Sequence, residues 1–362
     1  MRLEKLLDAV LDDAISREKI VGAVLLVSKN GELIYERACG MSDRENNIPM
    51  QVDAIFRLSS LTKPVIAAAI LAMEKRGALS LDAAARDFLP EFLPQLPDGE
   101  RPNITVRNLL THTSGLSMAL DGAADDDGEV DDPIGRYGRC VLDFRPGTGW
   151  RYSRAHDVLG AILAAVVGEP IAEAVANSIT LPLGMHDTAF SVVDPSRLTT
   201  AYADGGERPI RMNDHHQLPN PWGGITVFNP ARILDAHAYP SGSDGMAGTA
   251  NDYLKLLECL RTGREPLDPH QAAAALSDQI PQLAYSTSPG WKFSFIGARL
   301  EAPEKVGTFA PPGLACWGGV YGHSWSIDPI NAISVVSMSN TALEGSDGDF
   351  PLAIRSAIYS TL

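Results

Sequence analysis

Strand-forming stretches lie near both ends of this chain of 362 residues, and a long region of short helical segments separates them. Close to the N-terminus, the apolar runs 21–27 and 33–38 flank Asn30-Gly31, a dipeptide that favours a two-residue hairpin turn. Three further runs near the C-terminus are predicted to be strands: 291–296, 316–327 and 332–339. The pattern therefore predicts one antiparallel sheet to which both ends of the chain contribute.

Helical patterns surround these predicted strands. Leucine, valine and isoleucine recur at helical spacing over residues 3–15 with acidic residues between them, which indicates an amphipathic helix. Residues 64–77 predict a second helix that begins near Ser60, because Pro64 is tolerated only in a first helical turn. Residues 351–361 predict a closing helix. We expect these helices to pack against the sheet.

The middle of the chain has a different character. Between residues 78 and 200, Pro and Gly interrupt short helical segments such as 107–111 and 155–167. We therefore predict an α/β (α+β) fold in which an antiparallel sheet is flanked by helices and carries an inserted, mostly helical domain. Residues 1–77 and 201–362 are predicted to form the α/β domain, and residues 78–200 the insertion.

The charge balance excludes some classes of partner. Lys and Arg number 30 against 45 Asp and Glu, so the net charge is −15. This charge repels nucleic acid and anionic lipid surfaces, and we expect neither a nucleic-acid nor a membrane partner. We find no secretory signal pattern and no run of about 18 apolar residues that could span a membrane. We therefore expect a cytoplasmic protein, and the sequence leaves its oligomeric state open.

Metal binding is not predicted. Cysteines are far apart and form no Cys-x-x-Cys pair, which argues against a zinc ribbon or a redox dithiol. His215-His216 has no carboxylate or cysteine partner at ligand spacing. The acidic run 121–132 lacks the fixed ligand register of a calcium loop, so a solvated loop is the favoured interpretation.

Ser60-Leu61-Thr62-Lys63 is a Ser-x-x-Lys segment at the predicted start of a helix. A spacing of three puts the hydroxyl and the ammonium on one helical face, where the lysine can assist a serine nucleophile. The helix N-terminus adds N–H donors that can stabilise an oxyanion. Taken alone, the segment is more typical of an N-cap serine followed by a surface lysine.

Two more segments offer chemical groups. Tyr152 follows a glycine turn and precedes a predicted helix, where a phenol beside a cation can act as a general base or acid. The segment from Cys316 to His323 combines glycines with large aromatic residues in a predicted strand, a pattern that fits close approach of a ligand to the backbone.

Four segments together resemble the serine β-lactamase and penicillin-binding-protein superfamily in order and spacing. They are Phe56-Arg57-Leu58-Ser59-Ser60-Leu61-Thr62-Lys63, Leu109-Leu110-Thr111-His112-Thr113-Ser114-Gly115-Leu116, Trp150-Arg151-Tyr152-Ser153 and Leu181-Pro182-Leu183-Gly184-Met185. Within that superfamily, the segment Trp317-Gly318-Gly319 is similar to the Trp-x-Gly variant of family VIII carboxylesterases, and Trp317 to Trp325 resembles those of the EstB type.

The resemblance implies a cofactor-free serine hydrolase that cleaves short-chain carboxylic esters. Ser60 is then the acylated nucleophile, Lys63 and Tyr152 are the general base and acid pair, and the backbone N–H groups of Ser60 and Val320 form the oxyanion hole. Which member of the pair is the base stays open, because two such groups titrate as one unit. The implied partner is a small-molecule ester.

Departures from the lactamase pattern bear on the substrate. Arg154 stands where the resemblance leads us to expect the amide of a Tyr-x-Asn triad, and Trp317 replaces a lysine that would meet a substrate carboxylate. Both changes favour esters over β-lactams. Met118 stands where EstB-type esterases have an aromatic residue. The residues predicted to bind substrate are Trp317, Gly318, Gly319, Met118 and Arg154.

Alternatives remain at this point. Ser324 lies in a Gly-x-Ser segment that begins like an esterase elbow, and Ser59 lies one residue from the favoured nucleophile. The same fold also serves β-lactamases, D-aminopeptidases or amidases, and acyltransferases. A penicillin-binding-like protein without turnover is the non-enzymatic alternative. His112 is interpreted as a structural member of its segment.

Overall fold

The computed structural model describes residues 2–118, 133–219, 224–285 and 288–361. Within them, an eight-stranded antiparallel sheet has the strand order β10-β11-β12-β13-β14-β1-β2-β3, so strands from both chain ends share one sheet as predicted. The fourteen described strands are β1 Gly22–Lys29, β2 Glu32–Asp43, β3 Ile48–Pro49, β4 Phe56–Arg57, β5 Tyr202–Ala203, β6 Ile210–Arg211, β7 His216–Pro219, β8 Ile225–Phe228, β9 Ala247–Gly248, β10 Trp291–Phe293, β11 Ala298–Leu300, β12 Ala315–Gly319, β13 His323–Asp328 and β14 Ile333–Ser339.

Helices cover the sheet and fill the middle of the chain. The described α-helices are α1 Arg2–Ser16, α2 Thr62–Lys75, α3 Ala85–Phe88, α4 Val106–Leu110, α5 Pro133–Arg139, α6 Ala155–Val167, α7 Ile171–Val175, α8 Ala250–Thr262, α9 Pro269–Leu276, α10 Pro303–Val306, α11 Ala342–Asp347 and α12 Asp349–Tyr359. Short 3₁₀ or π turns lie at Ser59–Leu61, Ala176–Thr180, Pro195–Arg197 and Arg232–Leu234. The acidic run 121–132 lies outside the described residues.

The sheet is the middle of three layers. Every residue of β14 is buried, and β14 pairs with β1 from Ala23 opposite Ser339 to Lys29 opposite Ile333. Since side chains alternate along a strand, Leu25 packs with α1 and α12 on one face of the sheet, whereas Leu26 joins the core on the other face. Helix α8 packs on that second face, against β1 and β14. This two-sided burial explains the nearly continuous apolar run from Ala23 to Val27 in β1.

Helix α2 lies at the centre of the helices on the second face of the sheet. Its residues Thr62 to Met73 are all buried, and it packs against α6, α7 and α9. A helix that is apolar on all sides is stable only when other elements surround it, and that condition holds here. Helix α2 begins at Thr62, close to the predicted start near Ser60, and the turn Ser59–Leu61 leads directly into it. The division into domains stays a prediction.

The predicted run 316–327 needs a correction. It forms two strands, β12 and β13, rather than one, and they pair so that Trp317 lies opposite Trp325. At the turn, Gly322 has a φ of 111°, and a Cβ there would lie 2.1 Å from the carbonyl oxygen of Thr341. Only glycine fits this conformation and this close approach.

One structural test concerns membranes. Among the described residues, no single helix is long and apolar enough to cross a bilayer, although helix 155–167 and the following helical segment 171–180, bent by 84°, satisfy length and composition as a pair.

Candidate active site

Ser60 lies in the 3₁₀ turn that precedes α2. The residue before it, Ser59, has a φ of 50° and is buried, so the chain turns sharply at this point. A positive φ is unusual for a residue other than glycine, and such strain is concentrated at functional sites. Ser60 is half-buried and lines a cleft with a volume of about 810 Å³.

Lys63 lies one helical turn after the serine, and its residue is only 5 % exposed. Its Nζ is 3.3 Å from Ser60 Oγ and donates a hydrogen bond of 2.9 Å to the carbonyl oxygen of Ser243. The ammonium also lies 4.7 Å from the centre of the Tyr152 ring. The geometry therefore brings the serine and lysine of one predicted segment together with the tyrosine of another.

Tyr152 lies in the irregular segment just before α6. Its ring packs against Trp317 at a centroid distance of 5.1 Å, and Trp317 Nε1 donates a 3.1 Å hydrogen bond to Tyr152 Oη. The sequence predicted Trp317 only as a substrate-binding residue in place of a lysine. In the structure its indole N–H also fixes the phenol oxygen, and it can stabilise negative charge there without adding a cation.

A buried carboxylate holds the turn that contacts Lys63. Asp157, in the first turn of α6, accepts hydrogen bonds from Ser241 Oγ at 2.6 Å and from the backbone N–H of Ser243 at 3.0 Å. It also accepts one from Tyr137 at 3.0 Å. Sequence reasoning missed Asp157. The available signal was an acidic residue in the first turn of an otherwise apolar helix.

Arg154 lines the cleft, but its guanidinium is already engaged by carboxylates. It lies 3.3 Å from Asp157 and 3.0 Å from Asp244. Although burial alone would lower the pKa of Arg154, the two carboxylates hold it well above its ordinary value. The side chain therefore helps to hold Asp244, which follows the Ser243 that contacts Lys63, and it also contributes to the cleft wall.

The end of β12 lies against the turn that carries the serine. A Cβ on Gly319 would lie 2.8 Å from the carbonyl oxygen of Leu58 and 3.0 Å from the Leu61 side chain. Glycine therefore permits this approach, and Val320 follows at once in the chain. This placement is compatible with an oxyanion hole formed by the N–H groups of Ser60 and Val320, which stays a prediction.

A histidine ties the same strands to the serine segment. His323 Nε2 lies 2.7 Å from the carbonyl oxygen of Arg57, so the ring donates this hydrogen bond. The residue is 1 % exposed, and burial lowers its pKa to about 4. A neutral imidazole therefore joins the start of β13 to the residue three positions before Ser60. Sequence reasoning missed this contact, because it joins segments far apart in the chain.

Aromatic rings line the cleft beside Tyr152. Trp150 packs on Tyr285 with centroids 4.7 Å apart, and Phe293 lies 5.3 Å from Trp150 and 5.4 Å from Trp317. Burial raises the pKa of Tyr285 above its ordinary value, so it stays a neutral phenol. Predicted substrate residues that also line this cleft are Met118, Arg154, Trp317 and Gly318.

The geometry at Ser324, Ser59 and the histidine pair differs from that of a nucleophile or a metal site. Ser324 lines the cleft but lies inside strand β13, so the described chain has no strand–turn–helix elbow there. Ser59 is buried, whereas Ser60 is the serine that contacts Lys63. His216 Nδ1 lies 2.9 Å from Asn213 Oδ1. No group of three His, Cys, Asp or Glu residues in the described segments could hold a metal ion.

Comparisons with known proteins agree with this geometry. The sequence profile of the Beta-lactamase family matches residues 5–357. Esterase EstB of Burkholderia gladioli is 43 % identical over 98 % of this chain and 94 % of its own. The solved structure of EstCE1, a hydrolase with promiscuous acyltransferase activity, has a TM-score of 0.94 and 40 % identity, covering 99 % of this chain and 98 % of its own.

A more distant structure is similar in fold alone. D-amino acid amidase from Ochrobactrum anthropi SV3 has a TM-score of 0.74 and 21 % identity, and the two chains cover each other completely at 100 %.

Proposed function

This chain belongs to the Beta-lactamase family, and from that premise we propose that it is a serine carboxylesterase of family VIII acting on short-chain esters. The observation that carries the proposal is the contact of Lys63 Nζ with Ser60 Oγ at 3.3 Å, beside a phenol that Trp317 holds. The near-full-length similarity to an esterase supports the ester as substrate class.

The reaction proceeds through an acyl-enzyme. Ser60 Oγ attacks the ester carbonyl carbon while its proton passes to the Lys63–Tyr152 pair, and the N–H groups of Ser60 and Val320 stabilise the oxyanion. When the C–O bond to the alcohol breaks, the pair returns the proton to the leaving alkoxide. Water then attacks the acyl carbon and gives a proton to the same pair, which passes it to Ser60 Oγ as the bond from Oγ to the acyl carbon breaks and the acid leaves.

Charge explains how the pair can work. The Lys63 ammonium lies 4.7 Å from the centre of the Tyr152 ring and the Trp317 N–H donates to its phenol oxygen, so both can stabilise negative charge that develops there during proton transfer. Because Trp317 is a neutral donor, this wall gives no cation for a substrate carboxylate. The arrangement favours neutral esters over β-lactams, which carry a carboxylate.

The experiment is steady-state hydrolysis of p-nitrophenyl acetate, butyrate and octanoate beside nitrocefin. We expect rapid turnover of the short esters, slow or absent opening of nitrocefin, and loss of both in Ser60→Ala. Ser324→Ala is the matched control and retains turnover. Efficient opening of nitrocefin would favour a β-lactamase, and ester turnover that survives in Ser60→Ala would refute the nucleophile.

Acyl transfer to alcohols is a second candidate function. The observation that favours it is the set of aromatic rings beside Tyr152, since an apolar wall favours an organic alcohol over water at the acyl carbon. EstCE1, a structural relative at 40 % identity, is a hydrolase with promiscuous acyltransferase activity. The measurement is the ratio of new ester to free acid when vinyl acetate reacts with hexanol in buffer. A product that is only acid would exclude transfer.

A further inference from the structure

His112 is a buried histidine that the mechanism above does not use. It follows α4, is 1 % exposed, and has a φ of 57°. Its ring packs on Tyr152 at a centroid distance of 4.6 Å and on His156 at 5.1 Å. A strained, buried imidazole against the proposed proton carrier requires a physical explanation.

His112 accepts two hydrogen bonds, from the residues immediately before and after Tyr152 in the chain. The backbone N–H of Arg151 donates to the carbonyl oxygen of His112 at 3.0 Å. The backbone N–H of Ser153 donates to His112 Nδ1 at 3.2 Å. One residue therefore fixes the main chain immediately before and immediately after the tyrosine.

The second contact determines which nitrogen of His112 carries the proton. A backbone N–H can only donate, so Nδ1 must present a lone pair, and the proton of the neutral ring lies on Nε2. Ser153 Oγ lies 3.2 Å from the same nitrogen and can also donate to it. Protonation of Nδ1 would set two N–H groups against each other and break the contact.

The surroundings keep this ring neutral. Burial, and next the Lys63 ammonium, lower the pKa of His112 well below its ordinary value. The titratable groups that face it are Lys63 from α2, Tyr152, and His156 from α6. The pKa of His156 is also lowered, first by burial and then by the neighbouring His112 and Lys63. The lone pair on Nδ1 is therefore available at neutral pH.

We propose that His112 is a positioning residue for Tyr152, which it holds through its carbonyl oxygen on one side and its Nδ1 lone pair on the other. The inference rests on the proposed function, because it assigns Tyr152 a part in proton transfer. A phenol must be held within hydrogen-bond reach of the reacting oxygen, and a displacement of about 1 Å can lower a rate about 100-fold.

Two substitutions at His112 separate the lone pair from the rest of the side chain. His112→Asn keeps an acceptor at the position of Nδ1 and tolerates a positive φ, whereas His112→Gly tolerates the φ but loses the acceptor. We expect kcat for p-nitrophenyl acetate to fall about 10- to 100-fold in the glycine variant, with KM within about twofold. The asparagine variant should retain at least about ten times the kcat of the glycine variant.

His156→Leu is the matched control, because it removes the neighbouring buried imidazole without touching either hydrogen bond to the Tyr152 segment. Its kcat should stay within about threefold of the parent even if its Tm falls. A purely structural role predicts the opposite, namely that kcat follows Tm across all three variants. A glycine variant with unchanged kcat, or an asparagine variant as slow as the glycine variant, would also overturn the proposal.

An independent measurement needs no variant. Two-bond ¹H–¹⁵N NMR correlations of the protein labelled with ¹⁵N-histidine should give the neutral Nε2–H tautomer for His112 at pH 7. A ring protonated at Nδ1 would overturn the proposal even if the glycine variant fails to fold. If the parent protein turns over no ester, the proposed function fails. The NMR measurement then still tests independently whether the proton of His112 lies on Nε2.

Discussion

At the scale of single residues, the contact between Trp317 and Tyr152 joins the cleft wall to the phenol oxygen. A tryptophan can donate a hydrogen bond but cannot carry a charge, so the phenol oxygen is held without a second cation. The same side chain presents an apolar surface to the cleft. In the proposed mechanism, one residue thereby serves both proton transfer and the choice of substrate.

Replacing that tryptophan with phenylalanine tests the first of these roles. Trp317→Phe keeps an aromatic wall and removes the donor, and a hydrogen bond to a charged oxygen contributes about 1.5–3 kcal/mol. We therefore expect kcat for p-nitrophenyl acetate to fall about 10-fold or more. The control is Trp325→Phe, since Trp325 lies opposite Trp317 and its Nε1 has no partner among the described residues. Equal losses in both variants would contradict the prediction.

His323 predicts how stability depends on pH. Its pKa in the folded protein is about 4, against 6.5 for an ordinary histidine. Between these values the unfolded chain binds a proton that the folded protein does not, so stability falls as the pH drops from about 6.5 to about 4. This residue contributes at most about 3 kcal/mol to that fall.

Urea unfolding between pH 4 and 7 measures this dependence. His323→Gln keeps a donor for the carbonyl oxygen of Arg57 but cannot titrate, so its stability should vary less with pH than that of the parent. Some dependence will remain, because burial also lowers the pKa values of His112 and His156. His237→Gln, at an exposed position, should leave the slope unchanged. A slope that is equally steep in His323→Gln would show that this histidine does not contribute.

Residues with a recognisable spacing in the sequence were easier to predict than the residues that hold them in place through hydrogen bonds. Ser60 and Lys63 lie on one helical turn, so their proximity follows from local geometry. Asp157 and His323 act through hydrogen bonds to residues far away in the chain, and no local pattern specifies such pairs. Their importance became visible only from the fold.

At the scale of elements, the two hairpins of the sheet show why one turn was predicted and the other missed. Asn30 and Gly31 both have positive φ values, 55° and 83°, as a two-residue hairpin turn requires. The turn between β12 and β13 contains Val320 and Tyr321, whose composition resembles a strand. Tyr321 packs against Phe228 at 5.1 Å, so tertiary contacts explain its presence in a turn.

The close approach of β12 to the serine turn makes a prediction about Gly319. In Gly319→Ala, the new methyl group would meet the carbonyl oxygen of Leu58 at 2.8 Å, and backbone atoms cannot move aside easily. We expect the strand to shift away from Ser60 and kcat/KM to fall about 100-fold, as for loss of an oxyanion donor. Gly205→Ala is the control, because its Cβ would make an ordinary contact of 3.5 Å with Ile210. Unchanged kcat/KM in Gly319→Ala would refute the close approach.

At the scale of the whole molecule, the layer formed by α1 and α12 lies on the face of the sheet opposite the core that contains α2. Leu7 of α1 is fully buried with residues of α12 in the layer away from α2. Leu7→Ala should lower the free energy of unfolding by about 2–5 kcal/mol in urea denaturation. The kcat/KM of the folded variant should remain that of the parent. A matching loss of kcat/KM would mean that the two layers are coupled.

The pairing of β1 with β14 also determines when the enzyme can become active during synthesis. A ribosome completes β1, Ser60 and Lys63 early, but β1 receives one of its two neighbours only when the last strand has emerged. Contacts between such distant segments are slow to form. A nascent chain therefore carries Ser60, the proposed nucleophile, through the synthesis of the intervening residues without the strands that complete the cleft, and the cleft can form only after β14 has emerged.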